Sequence, residues 1–241
     1  MKIHAHILCY NESDIIRFVI QHYKKFCSHI TIYDNFSTDD SREIAESMGC
    51  EVRMFGVQGE LNDKEYLKIK NHCWKGSDAD YVIVCDMDEI LYHPNLILYL
   101  EACNSRGDTI FETQGFEIFS DILPVNDLLE LQNGRVDNNY SKMVIFNPEQ
   151  VVEINYVYGC HEAKPKGNLM WSEFKPTLLH YRSIGGIERQ IRKHKAYAER
   201  MSAINKKWGL GNHYLVDEQT KRKEWADSCK NLVELSQAGI W

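Results

Sequence analysis

The sequence predicts an α/β fold: a largely parallel sheet flanked by helices, then a small antiparallel extension and C-terminal helices. Three observations predict it. Short apolar runs alternate strictly with segments of helical period over the first 86 residues, the pattern of parallel strands joined by right-handed crossovers. The run Val82-Ile83-Val84-Cys85 is apolar at successive positions, as in a strand covered on both faces, and it ends abruptly in Asp86-Met87-Asp88-Glu89. Beyond Asp88 the alternation stops and strand-like stretches follow one another.

In order, Ile3 to Cys9 reads as the first strand, and Ser13 as the cap of a helix whose Ile16, Val19, Ile20, Tyr23 and Phe26 recur at helical spacing. His29 to Tyr33 is a second strand, Asp39 to Met48 a helix ended by Gly49, Glu51 to Phe55 a third strand, Asp63 to Trp74 a helix, and Tyr81 to Cys85 the fourth strand. Pro94 opens a helix to about Cys103. Thr109–Phe119, Met143–Phe146 and Val151–Tyr158 read as the antiparallel extension. The stretch from Asp121 to Tyr140, with Pro124, Asn133-Gly134 and Asn138-Asn139, reads as a mobile connection. Ile184 to Ile204 suggests one helix and Val216 to Leu235 another. The expected organisation is a catalytic domain over 1–182, divided at 105/106 into a donor half (1–105) and an acceptor half (106–182), and a helical segment over 183–241.

The chain of 241 residues carries 28 Lys/Arg against 35 Asp/Glu, a net −7, which argues against nucleic acid as a partner. Arg182 to Lys207 reverses this balance with eight Lys/Arg and two Asp/Glu, so it suits phosphates or the surface of an anionic membrane, or else a solvated helix face. Eight scattered cysteines without C-x-x-C fit a reduced, cytoplasmic chain. The first ten residues, broken by His4 and His6, lack an apolar leader, and no run approaches the ~20 residues of a membrane span.

Acids at the carboxyl end of a parallel strand lie where open α/β sheets bind ligands. Asp86 and Asp88 can converge there on one hard cation, Mn²⁺ or Mg²⁺, completed by a substrate's phosphates. A second pair, Asp78 and Asp80, stands before the strand and reads as solvated loop. Asp34 ends the second strand on the same edge as Asp88 and offers acceptors to a base or ribose. Ser37 and Asp39 read as turn and cap residues.

Tyr10-Asn11-Glu12, Gln21-His22-Tyr23, Ile32-Tyr33-Asp34-Asn35-Phe36-Ser37-Thr38-Asp39 and Asp86-Met87-Asp88-Glu89 occur in this order. In this the chain resembles the family 2-like glycosyltransferases of the Rossmann-like GT-A fold over about its first 120 residues, and His180-Tyr181-Arg182 resembles the H-Y-R element that follows their core. The resemblance implies transfer of a sugar from a nucleoside-diphosphate donor, UDP-, GDP- or dTDP-linked, to a glycan or lipid-linked acceptor. It implies nucleotide contacts from Tyr10, Asn11, Glu12, Asp34 and Asn35, and donor contacts from Lys70, Asp86 and Met87. It also implies Asp86 and Asp88 on the metal, with a histidine as third ligand: His180, or alternatively His161, which otherwise serves the acceptor. Lys70 reads equally as part of a solvated helix face. Arg182 suits the diphosphate through its planar fork. Inverting transfer needs a base near the acceptor hydroxyl, for which Glu117 is preferred over Glu112 and Asp121. Phe116, Phe119, Tyr156, Tyr158 and Trp171 are candidates for stacking on sugars or for the core.

Two other functions fit parts of this pattern. A sugar nucleotidyltransferase would carry a Gly-rich phosphate loop near the first strand, and Cys9 to Asp14 contains no glycine. A noncatalytic module binding nucleotide sugar or glycan would leave the donor unhydrolysed.

Overall fold

The computed structural model describes residues 1–239. Its first sheet contains β1 (Ile3–Cys9), β2 (His29–Asp34), β3 (Glu51–Met54), β4 (Tyr81–Asp86) and, later in the chain, β8 (Ile145–Phe146), in the order β3-β2-β1-β4-β8. The first four strands are parallel and β8 is antiparallel to β4. Winding proceeds outward from β1 to β3, then returns to place β4 on the other side of β1. The carboxyl ends of β1 and β4 therefore flank the point where strand order reverses, the usual ligand crevice of such sheets.

Alternation along the strands explains the layers. Tyr81, Ile83 and Cys85 face the main core, with α1 (Ile16–Lys24) and α2 (Ser41–Ser47), whereas Val82 and Val84 face a second cluster with Trp74 and Phe146. Helix α3 (Asp63–His72) covers that second face through Leu67, and through Tyr66 and Ile69 packs on Leu8, Tyr33 and Phe55. Helix α1 begins without a side-chain cap, because its N-cap position is Ile15 and not the expected Ser13, whose N–H donates to Asp39 Oδ2 at 3.0 Å.

The second sheet runs β12-β7-β6-β11-β5, from β5 (Glu89–Tyr92), β6 (Gln114–Phe119), β7 (Asn133–Val136), β11 (Thr177–Ser183) and β12 (Val233–Glu234). It departs from the expected antiparallel extension, since β6 and β11 are parallel and β8 has joined the first sheet. Helix α4 (Leu96–Arg106) connects β5 to β6 within this sheet, and a separate two-stranded ribbon pairs β9 (Val151–Glu153) with β10 (Lys166–Gly167). The stretch expected to be a mobile connection contains β7. There Asn133-Gly134, a turn signal in isolation, lies within a strand because a Cβ on Gly134 would stand 2.2 Å from Glu117 O, a close approach that only glycine permits.

The Gln21-His22-Tyr23 element anchors β5. Tyr23 OH donates to Glu89 O at 3.0 Å and accepts from Leu91 N at 3.1 Å, while His22 Nε2 meets Leu91 O at 2.9 Å. These bonds fix the strand that follows the acidic turn.

The expected helix over Ile184–Ile204 is two, α5 (Gly186–Arg200) and α6 (Ala203–Trp208). The break arises because Leu61 N–H donates to Arg200 O at 2.7 Å and Ser202 N–H to Leu61 O at 3.0 Å, which holds the chain extended between them. The next helix, α7 (Glu218–Ser228), is shorter than expected and gives way to β12. All eight cysteines are free. Among the described residues no helix is long and apolar enough to cross a membrane.

His6 and His22 are both buried, and burial pushes each imidazole down to about 4. The native state stays neutral while the unfolded chain protonates below the ordinary value of 6.5. Stability should be full above that value and fall as the pH drops towards 4, by up to about 3 kcal/mol per histidine. Urea unfolding at several pH values should show this fall, and His6→Phe should remove about half of the part contributed by the two histidines.

Candidate active site

Each of the three acids at the end of β4 has a different nearest partner. The Lys70 Nζ donates to Asp86 Oδ2 at 2.7 Å. Glu89, fully buried, accepts from Lys142 Nζ at 2.5 Å and from the Asp86 N–H at 3.0 Å. Asp88 Oδ2 faces His180 Nε2 at 3.8 Å. Burial opposes the charge on Asp88, but His180 and Lys193 outweigh it and hold the carboxyl below its usual range. Burial likewise opposes ionisation of Glu89 and Lys142, and each keeps the other charged. Burial lowers the His180 imidazole against the pull of Asp88 and Glu89, so its neutral form, the form that ligates metals, is favoured.

Register across the second sheet assembles the next part. Glu89 pairs with His180, His180 with Glu117, and Glu117 with Arg135, so four polar side chains stand in one row on one face. At about 4.8 Å per strand, Glu117 is one step from His180 and Arg135 two. Glu117 accepts from Ser183 Oγ at 2.8 Å and from Arg135 Nη2 at 3.3 Å. Tyr140 stacks on His180, with ring centroids 3.8 Å apart and planes at 17°. The turn bearing Tyr140 fits closely over Gly115, where a Cβ would come within 2.4 Å of Asp137 O.

These groups line a cavity of about 690 Å³, within the range of small-molecule sites. Tyr10, Glu12, Lys70, Asp86, Met87, Asp88, Glu117, His161, His180 and Arg182 all reach its wall. Met87 is largely part of the main core, and its N–H donates to Leu8 O at 2.9 Å. Lys70 is buried, which overturns its reading as part of a solvated helix face. His161 lies at the exposed rim with Nδ1 against Asn139 O at 2.5 Å; donation there leaves Nε2 as an acceptor.

Asn11, Asp34 and Asn35 lie behind the wall. Both oxygens of Asp34 accept from Ser37, its N–H at 2.7 Å and its hydroxyl at 2.5 Å. Asn11 Oδ1 accepts from the Thr38 N–H at 2.7 Å, and Asn35 Nδ2 donates to Phe55 O at 3.0 Å. The first two sets of bonds stiffen the loops after β1 and β2, and the third ties β2 to β3. Ser37 and Asp39 have the expected turn and cap roles, with Asp39 Oδ1 accepting from the Ser41 N–H at 3.0 Å. Of the other base candidates, Glu112 pairs with Lys175 at 2.5 Å and Asp121 is exposed. Phe119 reaches the cavity, whereas Phe116 is fully buried in the core.

The C-terminal segment closes the cavity. Arg182 donates to His194 Nε2 at 2.6 Å, and Glu12 receives Arg189 Nη2 at 3.3 Å as well as Lys193 Nζ. Burial raises the Glu12 carboxyl to about 7, with Lys193 and Arg189 pulling it down and Asp88 pushing it up. Arg200 lies over the Tyr10 ring, 3.2 Å from its centroid. Arg182, Arg189, Lys193 and Arg200 thus turn inward, and only Arg192, Lys195, Lys206 and Lys207 of the basic stretch are exposed. The stretch does not form one continuous surface charge.

Among the described residues no cluster of three or more His, Cys, Asp or Glu is placed to hold a metal ion. Asp88 and His180 nevertheless fit a hard divalent ion. Their 3.8 Å separation is too long for a hydrogen bond, and an ion of this kind needs only one or two protein ligands when phosphates and water complete it. Asp86 lines the same cavity, with its Oδ2 held by Lys70.

Sequence reasoning missed Lys142, Tyr140, Arg135 and Lys193. Lys142 and Tyr140 border the segment read as mobile, Arg135 lies within it, and Lys193 was counted only as helix charge. Glu89 was quoted in its motif without a role; the signal available was three acids in four residues, more negative charge than one strand end holds without cations.

No family model matches the chain, and no curated protein matches it. Among solved structures the chain is similar to S. aureus TarS 1-349, with TM-score 0.47 and 13% identity, covering 83% of this chain and 70% of that one. It is similar to glucosyl-3-phosphoglycerate synthase from Mycobacterium tuberculosis in complex with phosphoglyceric acid, with TM-score 0.43 and 16% identity over 66% of this chain and 62% of that one. It is also similar to the same synthase in complex with Mn²⁺, UDP and glucosyl-3-phosphoglycerate, with TM-score 0.35 and 19% identity over 48% of this chain. In that comparison the chain spans 44% of the synthase chain, less than half its length.

Proposed function

We propose that this chain is a metal-dependent, inverting glycosyltransferase of the GT-A type that moves a sugar from a nucleoside diphosphate to an acceptor hydroxyl. The observation that carries this reading is the pairing of Asp88 with His180 at the strand-order reversal, in a cavity whose wall also holds Lys70, Lys142, Arg182 and Lys193. A site rich in cations beside a hard-ion pair suits a diphosphate leaving group.

Asp88 and His180 would hold Mn²⁺ or Mg²⁺, which supplies charge stabilisation to the departing diphosphate. Lys70 and Lys142 hold Asp86 at the cavity wall, where its free acceptor sites meet the donor. Arg182 and Lys193 bind phosphate oxygens, and Tyr10 and Glu12 contact the nucleoside. Asn11, Asp34 and Asn35 act through the loops they fix. Glu117, held by Ser183 and Arg135, accepts the proton of the acceptor hydroxyl as that oxygen attacks the anomeric carbon and the bond to the diphosphate breaks. His161 Nε2 offers the acceptor a second hydrogen bond from the rim.

Asp88→Ala should lower transfer by about 10²–10³-fold and abolish the Mn²⁺-dependent thermal shift given by the matching nucleotide among UDP, GDP and dTDP, without changing the circular dichroism spectrum. Retained turnover in this variant would falsify the ion site. Glu117→Gln should lower kcat by at least about 10²-fold while nucleotide binding stays within twofold of the parent (roughly, by titration). An unchanged kcat would remove Glu117 from the role of base.

A further inference from the structure

Helix α7 presents a tryptophan to the cavity although the core gives it no reason to. No residue of Glu218–Ser228 is buried, and only Lys221, Trp225 and Ser228 are partly covered. These three, at positions i, i+4 and i+7, share one helix face, and that face lines the cavity. The helix is tethered from outside by Arg222, which pairs with Glu188 of α5 at 2.7 Å.

Trp225 meets Phe119, with ring centroids 5.9 Å apart and planes at 59°. Phe119 lies two residues beyond Glu117 on β6 and on the same face of the sheet. The guanidinium of Arg135 sits 5.0 Å over the Phe119 ring and also bonds Glu117 at 3.3 Å. An aromatic surface therefore adjoins a carboxylate and a planar cation at the end of the row farthest from Asp88. Tyr10, just after β1, and Lys70, on α3, line the cavity from the side of the first sheet.

We infer that Trp225 and Phe119, with Arg135 and Glu117, form the acceptor subsite, and that the acceptor is a saccharide whose apolar C–H face stacks on Trp225. This rests on the glycosyltransferase reading and adds the chemical class of the acceptor. A pyranose ring has one apolar face and a rim of hydroxyls, and it needs both kinds of partner side by side. A lipid chain would need a continuous apolar lining, and Lys221, Glu224 and Ser228 flank Trp225 instead. The geometry brings a rim hydroxyl to Glu117, the proposed base, while Arg135 holds a neighbouring one.

Saturation-transfer NMR on the full chain with diamagnetic Mg²⁺ and UDP, or GDP or dTDP if that is the nucleotide the parent binds, tests this, using the methyl β-glycosides of glucose, galactose and N-acetylglucosamine as probes. At least one should give a signal in the parent that falls about tenfold in Trp225→Ala and is largely kept in Trp225→Phe. Nucleotide affinity, measured by calorimetry on the same samples, should stay within about twofold. No signal from any probe, an undiminished signal in Trp225→Ala, or equal loss in the Phe and Ala variants would each overturn the subsite. Loss of nucleotide affinity in Trp225→Ala would reassign the residue to the donor wall. Failure of UDP, GDP and dTDP alike to bind the parent would instead overturn the donor reading on which the subsite rests.

Discussion

Compensation of three carboxylates at the end of one buried strand is the constraint on which this molecule is built. Asp86, Asp88 and Glu89 would repel one another and lose hydration if left alone, a cost of several kcal/mol per buried ion (roughly). The fold answers with a lysine from α3, a lysine from the chain before β8 and a histidine from β11. These partners come from separate parts of the sequence, so the charges at the strand end draw the two sheets together as well as forming the site. Glu89 has the most structural share of the three, since its oxygens accept from both Lys142 and the Asp86 N–H while its carbonyl is tied to Tyr23.

The second sheet converts this cluster into a graded surface. Along one row the side chains pass from a buried carboxylate through an imidazole to a carboxylate held by a guanidinium. In the proposed reaction that order sets the ion, at His180, one strand from the attacking hydroxyl, at Glu117. The alternate residues Phe116 and Ile118 enter the core, so a one-residue slip of β6 would bury Glu117 and expose Phe116. Core packing thereby fixes the position of the proposed base.

The segment beyond residue 182 contributes to the cavity wall. His194, Tyr214 and Trp225 all line the wall. Arg189, paired with Asp14 at 2.6 Å, and Arg200 over Tyr10 bind α5 to the loop after β1. Much of the charge that looked available to a membrane surface is directed towards these internal partners.

Local pattern was enough to specify the alternation of the first four strands and three helices, because continuous apolar runs and helical spacing each demand one kind of burial. It also placed Asp86 and Asp88 at a crevice, since acids that end a buried strand have to meet solvent or a ligand, while His180 entered only through the resemblance. It did not show that Asp86 faces Lys70, that Asp34 is saturated by Ser37, or that Gly134 belongs to a strand. Those outcomes depend on groups brought together from distant positions: Lys142 lies 53 residues from Glu89, and Arg189 lies 177 from Glu12. Residue order alone determined which strand ends offer acids to a crevice; sheet register and the return of α5 decided which side chains meet there, because pairing between remote strands is set by burial of whole faces and leaves no mark at short range.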